Sequence, residues 1–152
     1  MKAEYINPFL EASINLFREH LKFDIKNNTP FINQDSQNLN EVSAIIGLAG
    51  DIAGAVVLSF TRETAIAMAS RFSGQTYHAL SKEVIDAVGE LVNIIAGNAK
   101  KDLLGFRIEI SLPGVITGNT YKINWPHGVP VITIPFESDA GIFSVNVSFK
   151  QR

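Results

Sequence analysis

Glu90 and Asn93 stand three positions apart, with Asp86 before them and Gly97 after. Together they recur at i, i+4, i+7 and i+11, the spacing of one face of an α-helix. The set offers two carboxylates, one carboxamide and one position with no side chain. A carboxylate accepts charge-assisted hydrogen bonds from a cation. A carboxamide presents a donor and an acceptor in fixed geometry. Nothing in the set is a nucleophile, and no metal-ligand spacing accompanies it. Such residues can position a water or dock a partner, and do very little alone.

The element that must hold them is 81–104, SKEVIDAVGELVNIIAGNAKKDLL. Ser81 is a natural N-cap, Glu83 and Asp86 bring negative charge to the first turns, and Lys100 and Lys101 bring positive charge to the last, as the helix dipole prefers. Gly105 supplies a stop. Val84, Val88, Leu91, Val92, Ile95, Ala99 and Leu103 gather on the opposite side and are expected in the core. A polar stripe is what any amphipathic helix shows to water, and that reading stays open. Its composition argues for more. Mid-helix Asn93 costs a few tenths of a kcal/mol relative to Glu or Lys, and Gly89 and Gly97 cost about 1 kcal/mol each relative to Ala. A solvent face needs neither; a face that receives another molecule closely has a use for both.

Asp86-x-x-x-Glu90-x-x-Asn93, continuing Ile94-Ile95-Ala96-Gly97-Asn98, resembles the signature of the CheC/CheX/FliY phosphatases of bacterial chemotaxis, and within that group the CheX branch. The resemblance extends to the size of the chain and the order of its elements. It implies a CheC-like fold and an enzyme that removes the phosphoryl group from the aspartyl phosphate of a CheY-type response regulator. In trans, the partner already holds Mg²⁺ and a lysine beside its acyl phosphate and lacks a placed water. Asn93 would hold that water in line with phosphorus, as a water-orienting glutamine does in GTPases. Glu90 would dock on the partner's lysine. Gly97 would admit the partner's backbone, and Asp86 would be a second docking contact. The resemblance also implies a homodimer, and no cofactor or metal held by this chain. Pro113 stands closer to Asn93 than the proline of the family pattern does.

At 152 residues and 16.6 kDa the chain is expected to form one domain, 1–152, with a good core. A net charge of −2 gives no electrostatic case for nucleic acid. The absence of cysteine excludes a disulfide framework and thiolate chemistry, and weakly favours a reducing compartment. The opening MKAEYINPF has no apolar stretch of the secretory kind, so a cytoplasmic protein is expected.

Before the long helix, 7–22 reads as a helix capped by Asn7, with Pro8 at its first position and Phe9, Leu10, Ile14, Phe17 and Leu21 inward. Glu11 is followed three residues later by Ile14, with Asn15 one position late, so this helix is read as structural. Phe23 and Ile25 begin a strand, and the rest of 23–40 reads as loop. VSAIIGLAGDIAGAVVLSF (42–60) is nearly long enough to span a bilayer. Asp51 near its centre would cost about 2.5–3.5 kcal/mol there. Gly50-Asp51 is turn chemistry, which predicts a hairpin of strands 42–49 and 53–60, central in its sheet because both faces are apolar. Thr61 caps a second helix that ends at Gly74.

Beyond Gly105, Phe106, Ile108, Ile110 and Leu112 alternate with polar residues as a half-buried strand does. The runs 129–137 and 141–150 form a final hairpin, with Phe143, Val145, Val147 and Phe149 inward and Ser144, Asn146 and Ser148 outward. The expected architecture is therefore α+β, a two-layer α/β sandwich with a mostly antiparallel sheet packed against long helices, in the order α-β-β-α-α-β-β-β. His20, His78 and His127 share no metal-binding spacing, and no Walker loop, nucleophile elbow or dinucleotide motif occurs. The loop around Trp125 reads either as a recognition loop or as a turn covering a core edge. Two rivals to the enzyme remain: a non-catalytic response-regulator-binding module of the same fold, and a structural homodimer whose stripe is merely solvated.

Overall fold

The computed structural model describes residues 2–35 and 39–152. Its elements are α1 (Ala3–Ile14), a π-helical continuation (Asn15–His20), β1 (Ile25–Asn27), β2 (Phe31–Ile32), β3 (Val42–Gly50), β4 (Ile52–Phe60), α2 (Arg62–Ser73), α3 (Lys82–Lys101), β5 (Ile108–Ile110), β6 (Gly114–Thr117), β7 (Ile132–Ser138) and β8 (Gly141–Gln151). The eight strands form a single antiparallel sheet in the order β1-β7-β8-β4-β3-β5; β2 also pairs with β7, and β6 with β3. The expected two-layer α+β architecture is what forms. The order α-β-β-α-α-β-β-β is incomplete: β1 and β2 precede the central hairpin, and the segment after α3 is two short strands rather than one.

The hairpin of β3 and β4 is central, and the chain reverses at Asp51 between strands that end at Gly50 and begin at Ile52. Gly50 has φ +99°, a region where an L side chain is strained. Asp51 fastens the turn to the start of β5: its carboxylate accepts from Arg107 N at 2.6 Å, and its own N–H donates to Arg107 O at 2.9 Å. No helix among the described residues is long and apolar enough to cross a membrane.

All three helices lie on one face of the sheet, α3 over β3, β4, β5 and β6, and α1 and α2 over β8, with α2 reaching β4. Between the layers sit Phe9, Phe17, Phe60, Phe136, Phe143 and Phe149, all buried. Phe143 stacks on Phe136 at 4.9 Å, and Phe17 meets Phe143 at 4.6 Å between ring centroids. The first helix starts earlier than expected, at Ala3 after Lys2, so Asn7 is not its cap and Pro8 lies inside it. A proline there removes one intrahelical hydrogen bond. Packing upstream of it offsets that loss: Ile6 is buried, and Tyr5 meets Phe106 at 5.6 Å and Phe149 at 5.5 Å.

The other face of the sheet corrects a second expectation. Asn146 and Ser148 are fully buried, not outward in water. The segment 118–131 runs over them, and each polar group finds a partner. Asn146 Oδ1 accepts from Thr133 Oγ1 at 2.6 Å, Asn146 Nδ2 donates to Val57 O at 3.2 Å, and Ser148 Oγ donates to Pro130 O at 2.9 Å. Ser43 lies 3.1 Å from Ser59 and 2.6 Å from the Tyr121 hydroxyl. Among the described residues no buried side-chain polar atom lacks a partner, as a buried polar layer requires. Trp125 is half-buried in this covering segment.

Candidate functional site

Helix α3 carries the stripe, and its local chemistry explains its ends. Ser81 caps it, accepting from Val84 N at 3.3 Å, and the last turn carries Lys100 and Lys101. The helix stops at Asp102; Gly105, at φ +90°, lies three residues past the cap. Leu91, Val92, Ile95 and Ala99 are fully buried against the sheet. The anchored side leaves Asp86 and Glu90 exposed and Asn93 and Gly97 half-exposed. All four sequence-predicted residues therefore share one outward face, as the spacing requires.

Asn93 Nδ2 donates to Glu90 Oε1 at 3.4 Å, a long contact on the exposed face. Among the described residues neither side chain has any other polar partner. With its amino group donating to Glu90, the amide keeps Oδ1 as an acceptor with no partner among the described residues. Asp86 is engaged: Lys82 Nζ lies 2.7 Å from its Oδ2 at i,i+4. The hydrogen bond to Asp86, and then its charge, hold the Lys82 ammonium above the ordinary lysine range. Lys82 was not singled out from the sequence, although its four-residue spacing from Asp86 was there to be read.

The two glycines of α3 have different reasons to exist. A Cβ on Gly89 would lie 3.5 Å from Val115 and 3.7 Å from Pro113, ordinary contact distances, so the helix passes close to the β5–β6 turn there. A Cβ on Gly97 would meet nothing within 4 Å. Nothing inside the fold asks for glycine at 97. Gly97→Ala is therefore expected to stabilise the free protein by about 1 kcal/mol. If the space is reserved for a partner, the same change weakens docking; thermal melting and a binding titration on one sample read both effects.

Pro113 thus sits beside the stripe at the level of Gly89, on the flank nearer Asn93. Among the described residues no group of three or more His, Asp or Glu side chains is placed to hold a metal ion. The principal cavities lie elsewhere: one beside Arg71 and Asp139, another beneath the Trp125 loop, and others near Tyr5 and Asp24. Fold and site define a class: a two-layer α+β domain whose acid–amide pair stands on an open helix surface, shaped to meet a macromolecule.

Comparison with known proteins gives the family. The model of the chemotaxis phosphatase CheX matches residues 42–137, and the chain belongs to that family. It is 29% identical to the CheY-P phosphatase CheX of Thermotoga maritima over 126 residues, 81% of each chain. The solved chemotaxis protein CheX of Vibrio vulnificus superposes with a TM-score of 0.88 at 29% identity, covering 97% of this chain and 100% of that one. A CheX–CheY–BeF3–Mg²⁺ complex from Borrelia burgdorferi superposes with a TM-score of 0.83 at 30% identity, covering 97% and 98%.

Proposed function

We propose that this chain hydrolyses the aspartyl phosphate of a CheY-type response regulator, with α3 as the face that meets it. One observation carries the reading. Glu90 and Asn93 stand side by side and outward on α3, touching each other and, among the described residues, no other polar group. An acid and an amide left free on a rigid helix suit a reaction whose other parts arrive with the substrate.

In this reading the regulator brings the acyl phosphate, its Mg²⁺ and its lysine. Asn93 Oδ1 accepts a hydrogen bond from the attacking water and holds the water oxygen opposite the aspartyl oxygen. The water oxygen bonds phosphorus, and the bond from phosphorus to the aspartyl oxygen breaks. The electron pair leaves with the carboxylate, and inorganic phosphate carries away the water's oxygen with one of its protons, the other proton passing to solvent. The gain is one of position and orientation, with no covalent intermediate on this chain. Glu90 receives the partner's lysine with the carboxylate oxygen that Asn93 does not use. Asp86 adds a docking contact by exchanging Lys82 for a cation of the partner. Gly97 lets the partner's backbone approach. The BeF3 of the Borrelia burgdorferi complex is chemically a stand-in for a phosphoryl group, which makes such a complex a usable probe here. A homodimer and a cytoplasmic location belong to the same reading.

The test is single-turnover release of phosphate from a Mg²⁺-bound, phosphorylated CheY-type regulator of the same genome, with and without this protein. Acceleration is the expected result. Docking without acceleration by any such regulator would reduce the chain to a binding module. Glu90→Ala is expected to raise the dissociation constant for a beryllofluoride-loaded regulator about tenfold, by removing a charge-assisted contact. Glu90→Gln should recover part of it, and the difference from the parent should shrink as salt rises. Titration at two ionic strengths measures both.

A further inference from the structure

We propose that Lys100 and Lys101 orient the regulator on α3 by taking an anionic group of its receiver domain, so that the order of charge along the helix selects the partner. The proposal rests on the function proposed above. Charge on α3 is sorted by position. Its first half holds one lysine and three acids, Lys82, Glu83, Asp86 and Glu90, a net of −2. The stretch 91–99 carries no charge, and Lys100 and Lys101 close the helix with +2. At about 100° per residue, the two lysines fall about 50° to either side of the line through Asp86, Glu90, Asn93 and Gly97. They straddle the foot of the stripe, whereas Asp102, the next charge, falls about 150° round from it. Lys101 is exposed and Lys100 half-exposed. Neither has a side-chain partner among the described residues.

Lysines in a last turn have a local use, since they complement the helix dipole. That use asks for no particular side of the helix and leaves both ammonium groups without a counter-ion. What covers them follows from distance. Lys100 stands seven residues from Asn93, about 10 Å along the axis at 1.5 Å per residue, and Lys101 about 12 Å. A standard interface takes about 800 Å² of each partner, a patch about 16 Å in radius. A receiver domain centred on Asn93 therefore covers both lysines as it covers Glu90. The cation that Glu90 receives then fixes where the partner's anion must lie, about 15 Å away toward the C-terminal end of α3. Turned end for end, the same partner would set its own lysine against Lys100 and Lys101, like charge on like. Such a face passes one orientation and, among regulators, those with an anionic group at that distance.

The experiment titrates a Mg²⁺- and beryllofluoride-loaded CheY-type regulator of the same genome against the parent and three double variants. Lys100→Gln with Lys101→Gln removes the charge, and Lys100→Glu with Lys101→Glu reverses it. Lys26→Glu with Lys122→Glu makes the same reversal at exposed positions away from α3, on β1 and in the segment that covers the other face of the sheet. Each is measured at low and high ionic strength, with melting temperature, sedimentation and turnover. At low ionic strength the dissociation constant is expected to rise about fivefold in the glutamine pair and further in the glutamate pair, chiefly through slower association. High salt removes most of the difference. The kcat stays parental because Asn93 is untouched, and the Lys26 and Lys122 variant binds within about twofold of the parent. The glutamate pair opposes the helix dipole; if it lowers the melting temperature, the glutamine pair decides. Parental affinity of the glutamine pair at low salt would overturn the proposal. So would an equal loss in the Lys26 and Lys122 variant, or a loss that high salt leaves in place. A change of oligomeric state would assign the lysines to a second copy and overturn it as well. If the parent itself binds no loaded regulator, the function proposed above fails and this proposal with it, and that control tells the two failures apart.

Discussion

Asn93→Ala should slow single-turnover dephosphorylation roughly a hundredfold, the cost of a misplaced nucleophile, while regulator affinity stays within about twofold. The split follows from the geometry. Asn93 touches only Glu90 in the free protein, at 3.4 Å, so removing its amide leaves the fold and the neighbouring acid intact. Helix α3 gains a few tenths of a kcal/mol, because alanine is the better helix former. Loss of activity together with a slightly higher melting point cannot be explained by unfolding. Asn93→Gln keeps the amide but moves it one methylene outward, and is expected to recover little of the rate. Near-parental turnover by Asn93→Ala would remove the water-positioning role and leave Glu90 and Asn93 as contact residues.

Gly54→Ala should be strongly destabilising, although its backbone conformation would accept an alanine. A Cβ there would fall within 2.5 Å of Phe149 Cα and closer still to Ser148 O. Both belong to the neighbouring strand β8, where Gly54 pairs with Phe149. Backbone cannot rotate aside as a side chain can, so β8 must shift, and with it Phe149 and its contacts to Tyr5 and Phe9. Overpacking of this kind costs about 3 kcal/mol, or roughly 10 °C in melting temperature for a domain of this size. Gly47→Ala is the control. Its Cβ would sit 3.5 Å from Ser111 Oγ, an ordinary contact. Equal melting points for the two variants would show that β4 and β8 separate without cost.

What the sequence made legible follows from how local the signal was. The face of α3 could be read because a 3.6-residue period, a serine cap and a run of buried aliphatics act within one element. The central hairpin was legible for the same reason, with Gly50 and Asp51 marking its turn. Non-local effects were not. Ser144, Asn146 and Ser148 alternate with apolar residues as a solvated face would, and only the return of segment 118–131 over the sheet buries Asn146 and Ser148. Asn7-Pro8 has the look of a helix start, but the contacts of Tyr5 with Phe106 and Phe149, far away in sequence, carry the helix back to Ala3. The strand expected through Leu112 ends at Ile110, and the chain turns at Pro113 before pairing with β3 again. Of the site, the four stripe residues were visible in their spacing. Their surroundings, the Lys82 ion pair and the flanking turn, needed the fold.

The open surface around Asn93 also bears on chemical intervention. The principal cavities of the molecule are lined by residues other than Glu90 and Asn93. A helix exterior offers a drug-sized molecule no enclosure, and small-molecule affinity depends on enclosure. Free acyl phosphates should therefore pass this protein unhydrolysed, and competitive inhibitors built as substrate fragments should fail. A peptide or miniprotein broad enough to cover α3 is the form of antagonist that the surface allows.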